Sequence, residues 1–186
     1  MSRIIAGSAK GRRVKTPPGD KTRPTSDRVR EALFNSLAPG GDLTGMRFLD
    51  LYAGSGAIGL EALSRGAERA VLVESHVQTV KLIAQNVSDL GFTDRARVEK
   101  ASVPAYVSGP ASDKFDMVFV DPPYDVSDQT IADILYNLDE GGWLAPQADI
   151  VVERASKRSQ VTWPGNFIGG RHRRYGNTSL WYGEYS

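Results

Sequence analysis

The sequence predicts an α/β fold, a doubly wound and mostly parallel sheet with a small N-terminal β-hairpin and helix extension. Three observations carry this expectation. From Met46 onward, apolar strand-like runs alternate with amphipathic helical stretches, the pattern of a sheet covered on both faces. The first of these strands runs directly into a glycine-rich turn that opens a helix. The tail then changes character, with two strand-like runs closing on Gly176-Asn177.

Taken in order, Arg3–Ala6 and Arg12–Lys15 read as short strands joined by a turn containing Gly7, Ser8 and Gly11. Pro17-Pro18-Gly19-Asp20 breaks the chain. Thr25 or Ser26 is an N-cap for a helix with Asp27 in its first turn and Val29, Leu33, Phe34 and Leu37 on one face. Ala38-Pro39-Gly40-Gly41 ends that helix. Strands follow at Arg47–Leu51, Ala70–Glu74, Arg97–Lys100, Phe115–Val120 and Asp149–Glu153. Helices are expected at Ala57–Ser64, Val77–Leu90 and about Gln129–Leu138. Gly141–Leu144 reads as a loop, and Arg171–Tyr175 with Ser179–Tyr185 as an antiparallel pair. Two units are expected: a basic extension over residues 1–37 and the sheet domain over 38–186.

Composition narrows the function classes. With 186 residues, 40% hydrophobic and 24% charged, the chain has the make-up of one globular domain. It has no cysteine, so disulfides, thiolate nucleophiles and cysteine-based zinc sites are excluded. His76 and His172 lie far apart, which argues against a metal centre. No apolar run is long enough to span a bilayer and no signal-peptide core is evident, so a cytoplasmic protein is expected. The net charge is only +1 but is uneven: +6 over residues 1–37, −10 over 38–153 and +5 over 154–186. Basic ends around an acidic body can meet phosphates or simply be solvated.

Two motifs carry chemistry. In Asp50-Leu51-Tyr52-Ala53-Gly54-Ser55-Gly56-Ala57-Ile58-Gly59, the glycines match G-x-G-x-x-G, and Glu74 ends the next strand where an acid accepts ribose hydroxyls. Asp50 would repel a pyrophosphate and suits a ligand bearing an ammonium or sulfonium group. The second motif is Asp121-Pro122-Pro123-Tyr124, delivered by an apolar strand to the ligand edge of the sheet. A carboxylate, a carbonyl left free in a turn whose two prolines carry no N–H, and an aromatic face together can hold a planar base by an amino group.

Together these motifs resemble the amino-group class of S-adenosylmethionine-dependent methyltransferases. Arg3-Ile4-Ile5-Ala6-Gly7, Lys10-Gly11-Arg12 and Thr22-Arg23-Pro24-Thr25-Ser26-Asp27-Arg28-Val29-Arg30-Glu31 further resemble the bacterial RsmD family. The resemblance implies a seven-stranded Rossmann-like methyltransferase domain that methylates N2 of one guanine, position 966, in 16S rRNA. It implies a monomer acting without metal on RNA or an assembling 30S subunit. Asp50, Tyr52, Ala53, Gly54, Ser55, Gly56, Gly59 and Glu74 would hold S-adenosylmethionine, with Ser102 beside the adenine. Lys100-Ala101-Ser102 departs from relatives, which often carry Asp or Asn there. Asp121, Pro122 and Tyr124 would act on the base, and Arg12, Arg13, Lys15, Arg23, Arg28 and Arg30 would contact RNA phosphates. Two rivals differ in class: a non-catalytic RNA-binding assembly factor, and a nucleotide-dependent oxidoreductase, for which Asp121–Tyr124 would have no use.

Overall fold

A computed structural model describes residues 1–19, 25–158 and 160–186. The N-terminal arm is a short antiparallel pair, β1 (Ser2–Arg3) and β2 (Arg13–Val14), with Arg3 opposite Arg13. The strands are shorter than their sequence suggests, because the intervening turn divides its hydrogen bonds between itself (Lys10 N–H to the Gly7 carbonyl, Arg12 N–H to the Ala9 carbonyl) and the body. The buried Glu61 carboxylate accepts the N–H groups of Ile5 (2.8 Å) and Ala6 (3.0 Å). Ser64 Oγ accepts from Ala9 N–H at 2.9 Å and donates to the Ala6 carbonyl at 2.6 Å. Gly7, at φ +81°, lies so close that an added Cβ would sit 1.8 Å from the Ser64 carbonyl oxygen, so only glycine fits.

Helix α1 (Asp27–Leu37) starts where Ser26 Oγ accepts the Val29 N–H at 3.3 Å. The sheet and its crossovers then follow: β3 (Arg47–Leu51), α2 (Ala57–Ser64), β4 (Arg69–Glu74), α3 (Val77–Asp89), β5 (Ala96–Lys100), α4 (Val103–Val107), β6 (Phe115–Val120), α5 (Asp128–Glu140), β7 (Leu144–Ala155), β8 (Phe167–Tyr175) and β9 (Thr178–Tyr185). Spatial order is β5-β4-β3-β6-β7-β9-β8. The first five are parallel; β9 runs antiparallel to both β7 and β8. The seven-stranded Rossmann-like architecture expected from the sequence is therefore present.

One apolar layer gathers Val29, Leu33 and Phe34 of α1, Leu60 and Leu63 of α2 and Ile83 and Val87 of α3; Ile4 and Val14 of the arm join it. The other layer holds Val103 and Val107 of α4 with Ile131, Ile134, Leu135 and Leu138 of α5. Chain order reverses between β3 and β6, and this switch point opens the crevice at the carboxyl ends of the strands. Among the described residues, no helix is long and apolar enough to cross a membrane.

Two expectations need correction. The loop expected at Gly141–Leu144 ends one residue sooner, because β7 already begins at Leu144; it passes Gln147 at φ 63° before regaining register with β6. Arg30, expected on the RNA-facing surface, is fully buried. Its Nη2 donates to the Arg3 carbonyl (2.8 Å) and to Asp27 Oδ1 (2.6 Å), so it bolts the arm to α1 and has no access to a phosphate.

Candidate active site

Four adjacent strands bring an acid to the crevice: Glu74 from β4, Asp50 from β3, Asp121 just after β6, and Glu153 from β7. The glycine turn is braced by two of them. Asp50 is buried and accepts the Gly59 N–H at 2.9 Å, 9 residues on. A Cβ on Gly59 would meet Leu72 Cδ2 at 2.8 Å and Asp50 Oδ2 at 3.2 Å, so glycine is what lets α2 sit on this carboxylate. Glu74 Oε2 accepts from Gly54 N–H at 3.1 Å, and Oε1 from Ser75 (2.9 Å) and His76 (3.0 Å). A carboxylate has about four lone-pair sites, so one remains for a ligand hydroxyl.

Gly54 is at φ +56° with nothing within 4 Å of a notional Cβ, so open space faces the turn. Tyr52 also takes a positive φ, 64°. Ala53 donates to the Val73 carbonyl (2.9 Å), while the Ser55 carbonyl accepts from Asn86 of α3 (3.0 Å). Ser102 is exposed just past β5, at the start of α4; the preceding Ala101 N–H donates to the Glu74 carbonyl at 3.1 Å.

Electrostatics favour a cationic occupant. Burial pushes Asp50 up to about 7, opposed by the Gly59 hydrogen bond and reinforced by the Glu74 charge. Asp121 is raised well above the carboxylate range, first by desolvation, then by the charges of Glu153 and Asp50. Glu153 rises to about 7 through burial, although a Thr25 hydroxyl hydrogen bond opposes the shift. Parallel pairing of Val120 with Val152 sets Asp121 beside Glu153 on the same face. A positive centre among these carboxyls would relieve their mutual repulsion. The open turn, the buried Asp50 and the free acceptor on Glu74 suit S-adenosylmethionine, with its sulfonium, ammonium and ribose hydroxyls.

The Asp121–Tyr124 turn is held from outside. Asp121 N–H donates to the Leu51 carbonyl at 3.3 Å, Val126 N–H to the Pro123 carbonyl at 3.1 Å, and Arg158 Nη2 to the Tyr124 carbonyl. Pro122 is buried, and its carbonyl receives no hydrogen bond among the described residues. Tyr124 is 55% exposed, its ring available for stacking.

Arg12, Arg13 and Lys15 are exposed and line one surface hollow with Met1, Arg3 and Asp89. Lys15 Nζ pairs with Asp89 at 2.9 Å, and Arg12 reaches the Asp89 carbonyl at 2.5 Å. Arg28 is exposed in a neighbouring hollow with Arg3 and Lys10. Arg23 lies outside the described residues. Sequence reasoning missed Glu153, although Ile150-Val151-Val152-Glu153 repeats the pattern of Val118-Phe119-Val120-Asp121: an apolar run that ends on an acid.

Comparison with known proteins places the chain in a family and agrees with its fold. The family described as "Conserved hypothetical protein 95" matches residues 2–184. "Ribosomal RNA small subunit methyltransferase D" of Escherichia coli strain K12 is 36% identical over 95% of this chain and 86% of its own length. The protein of the same name from Haemophilus influenzae is 35% identical, over 86% of this chain and 82% of its own. A solved structure described as "Putative methyltransferase yhhF from Escherichia coli" superposes with a TM-score of 0.85 at 34% identity, covering 99% of this chain and 97% of that one.

Proposed function

The chain belongs to the RsmD family, and from that premise we propose that it transfers a methyl group from S-adenosylmethionine to the N2 amino group of a guanine in 16S rRNA, position 966 by family resemblance. The observation that carries this reading is the meeting, at one sheet switch point, of the Asp121–Tyr124 turn with a glycine turn backed by Asp50 and Glu74.

When bound, the cofactor supplies an electrophilic methyl carbon on a cationic sulfur. Asp50 and the Gly54–Gly59 turn hold the methionine portion, and Glu74 offers its remaining lone pair to the ribose. Asp121 and the Pro122 carbonyl accept the two amino hydrogens of the base, and Tyr124 stacks on its ring. These bonds pull the nitrogen lone pair out of conjugation and aim it at the methyl carbon, so positioning and electrostatics supply the rate. As the new N–C bond forms, the methyl's bond to sulfur would break, with the electron pair left on the neutral thioether of S-adenosylhomocysteine, and the amino nitrogen loses a proton. Asp121, raised by its neighbours, receives it, with Glu153 alongside to share it.

The test is transfer from labelled S-adenosylmethionine to naked 16S rRNA and to 30S particles lacking the modification, with the product nucleoside identified. N2-methylguanosine is the expected product. Label on an adenine or cytosine would overturn the base assignment, and no transfer to either substrate would favour the non-catalytic assembly factor.

A further inference from the structure

At the edge of the sheet farthest from β5, strand β8 pairs with β9 and leaves its other side open among the described residues. Residues 168–174 are all exposed, and Arg171-His172-Arg173-Arg174 form a consecutive basic run within them. Their side chains alternate between the two faces, so Arg171 and Arg173 project from one face about 6.6 Å apart. Two of the four are laid flat on aromatic rings: the Arg171 guanidinium lies 4.5 Å over Tyr182, and His172 stacks on Trp181 at 4.4 Å and 17°. Among the described residues, Arg171, Arg173 and Arg174 form no ion pair with a carboxylate.

This strand is connected to the base-handling turn. Arg173, Arg174 and Tyr175 pair with Leu180, Ser179 and Thr178, which pair in turn with Glu153, Arg154 and Ala155 of β7. The basic run therefore reaches the same lip of the sheet as Asp121. At the hairpin tip, the Asn177 carbonyl accepts the Ser156 N–H at 2.8 Å. Two residues further, Arg158 donates to the Tyr124 carbonyl, with exposed Lys157 between. The arm, meanwhile, is fixed to α3 through Asp89, over β4 and β5 on the other side of the crevice.

We propose that β8, together with Lys157 and Arg158 of the adjoining turn, is a second docking surface for the sugar–phosphate backbone of the RNA whose base enters the crevice. The proposal rests on the rRNA reading above. The acidic crevice repels phosphates, whereas a basic surface on either side attracts them, so the strand can be held at two places and a single nucleotide presented between them. Charge on an edge strand also discourages edge-to-edge pairing. That role alone predicts self-association when the charge is removed, with RNA affinity unaltered.

The experiment compares the full chain with Arg171→Ala/Arg173→Ala/Arg174→Ala and with the corresponding triple lysine variant. Binding to naked 16S rRNA and to unmodified 30S particles is measured at several salt concentrations. S-adenosylhomocysteine binding and oligomeric state serve as checks of folding. The alanine variant is expected to bind RNA more weakly and to show a log–log salt slope shallower by roughly 2 to 3, about one for each lost phosphate contact. The lysine variant is expected to retain most of the slope. Matching curves for parent and alanine variant, with or without self-association, would overturn the proposal while leaving the methyltransferase reading intact. A defect seen with 30S particles but absent with naked RNA would overturn it in favour of a ribosomal protein. A parent chain that fails to bind either substrate would overturn both readings together.

Discussion

Thr25 Oγ1 donates to Glu153 Oε2 at 3.1 Å, joining residues 128 apart in sequence. The bond ties the start of α1 to a carboxyl that stands beside Asp121. Glu153 is thus both an anchor for the N-terminal region and a member of the carboxyl pair. Substituting glutamine keeps the shape and the acceptor but removes the charge. The parent pH–rate profile is expected to rise through about 7, with apparent values belonging to the pair. Glu153→Gln should move or abolish that limb while retaining cofactor affinity. An unchanged profile would confine Glu153 to anchoring.

Asp121→Ala is expected to lower methyl transfer by roughly 10²–10³-fold or more, the scale of losing one preorganised polar contact in a transition state. S-adenosylhomocysteine binding, measured by calorimetry, should hardly change, since Asp121 is assigned to the base. Comparable turnover by the variant removes Asp121 from the mechanism.

Glu74→Ala removes one brace of the glycine turn, at Gly54, and two bonds to the Ser75–His76 backbone, as well as the proposed ribose acceptor. Charge-assisted hydrogen bonds contribute about 1.5–3 kcal/mol each, so S-adenosylhomocysteine should bind roughly 10- to 100-fold more weakly. Equal dissociation constants for variant and parent would mean that the ribose is held elsewhere.

Asp50 makes the cofactor site and the fold respond to pH in opposite directions. Its folded value of about 7 exceeds the ordinary value of 3.8, so the folded chain holds the extra proton between these limits. Stability contributed here is complete below about pH 4, falls as pH rises towards 7 and stays low above it. Asp50→Asn should therefore melt higher at pH 8, by on the order of 1–3 kcal/mol or roughly 2–10 °C. A bound cation favours the ionised carboxyl, so S-adenosylmethionine affinity should rise from pH 6 to 8 with release of a proton. Calorimetry in buffers of different ionisation enthalpy measures that release, and its absence would separate Asp50 from the bound charge.

The arm gives a fifth contrast. Arg12→Ala/Arg13→Ala/Lys15→Ala should weaken RNA binding and flatten its salt dependence by up to about 0.9 per lost contact, leaving cofactor binding alone. Lys15 and Arg12 already lean on Asp89, so Arg13, which makes no ion pair among the described residues, should account for the largest single share.

Strands β3, β4 and β6 were legible because each is a short apolar run bounded by turn residues and buried from both sides. Helix α4 was not, since five residues with a proline in the first turn are too few to display a period. Arg30 shows a different failure. It sits three, four and seven positions before Leu33, Phe34 and Leu37, on the apolar face itself, yet its charge suggested a surface contact with RNA phosphates. What buries it is the arm crossing α1, a contact between distant segments that no local pattern announces. The two motifs of the site were legible because both are contiguous. Glu153 joins them only through strand pairing.

Asn86 of α3 takes hold of the arm at its far end, accepting the Lys15 N–H and donating to the Lys15 carbonyl, both at 2.9 Å. With the Glu61 and Ser64 contacts and the zero clearance at Gly7, the prong is clamped along its whole length. A clamped prong has almost no conformational freedom left to surrender when it meets RNA, so its association should lack the large negative heat-capacity change of a segment that folds on binding. The adjustment then falls on the nucleic acid. On the proposed arm–RNA contact, the protein would act as a gauge of fixed dimensions, and an rRNA region that has not yet taken its proper shape would be passed over, however well its sequence matches.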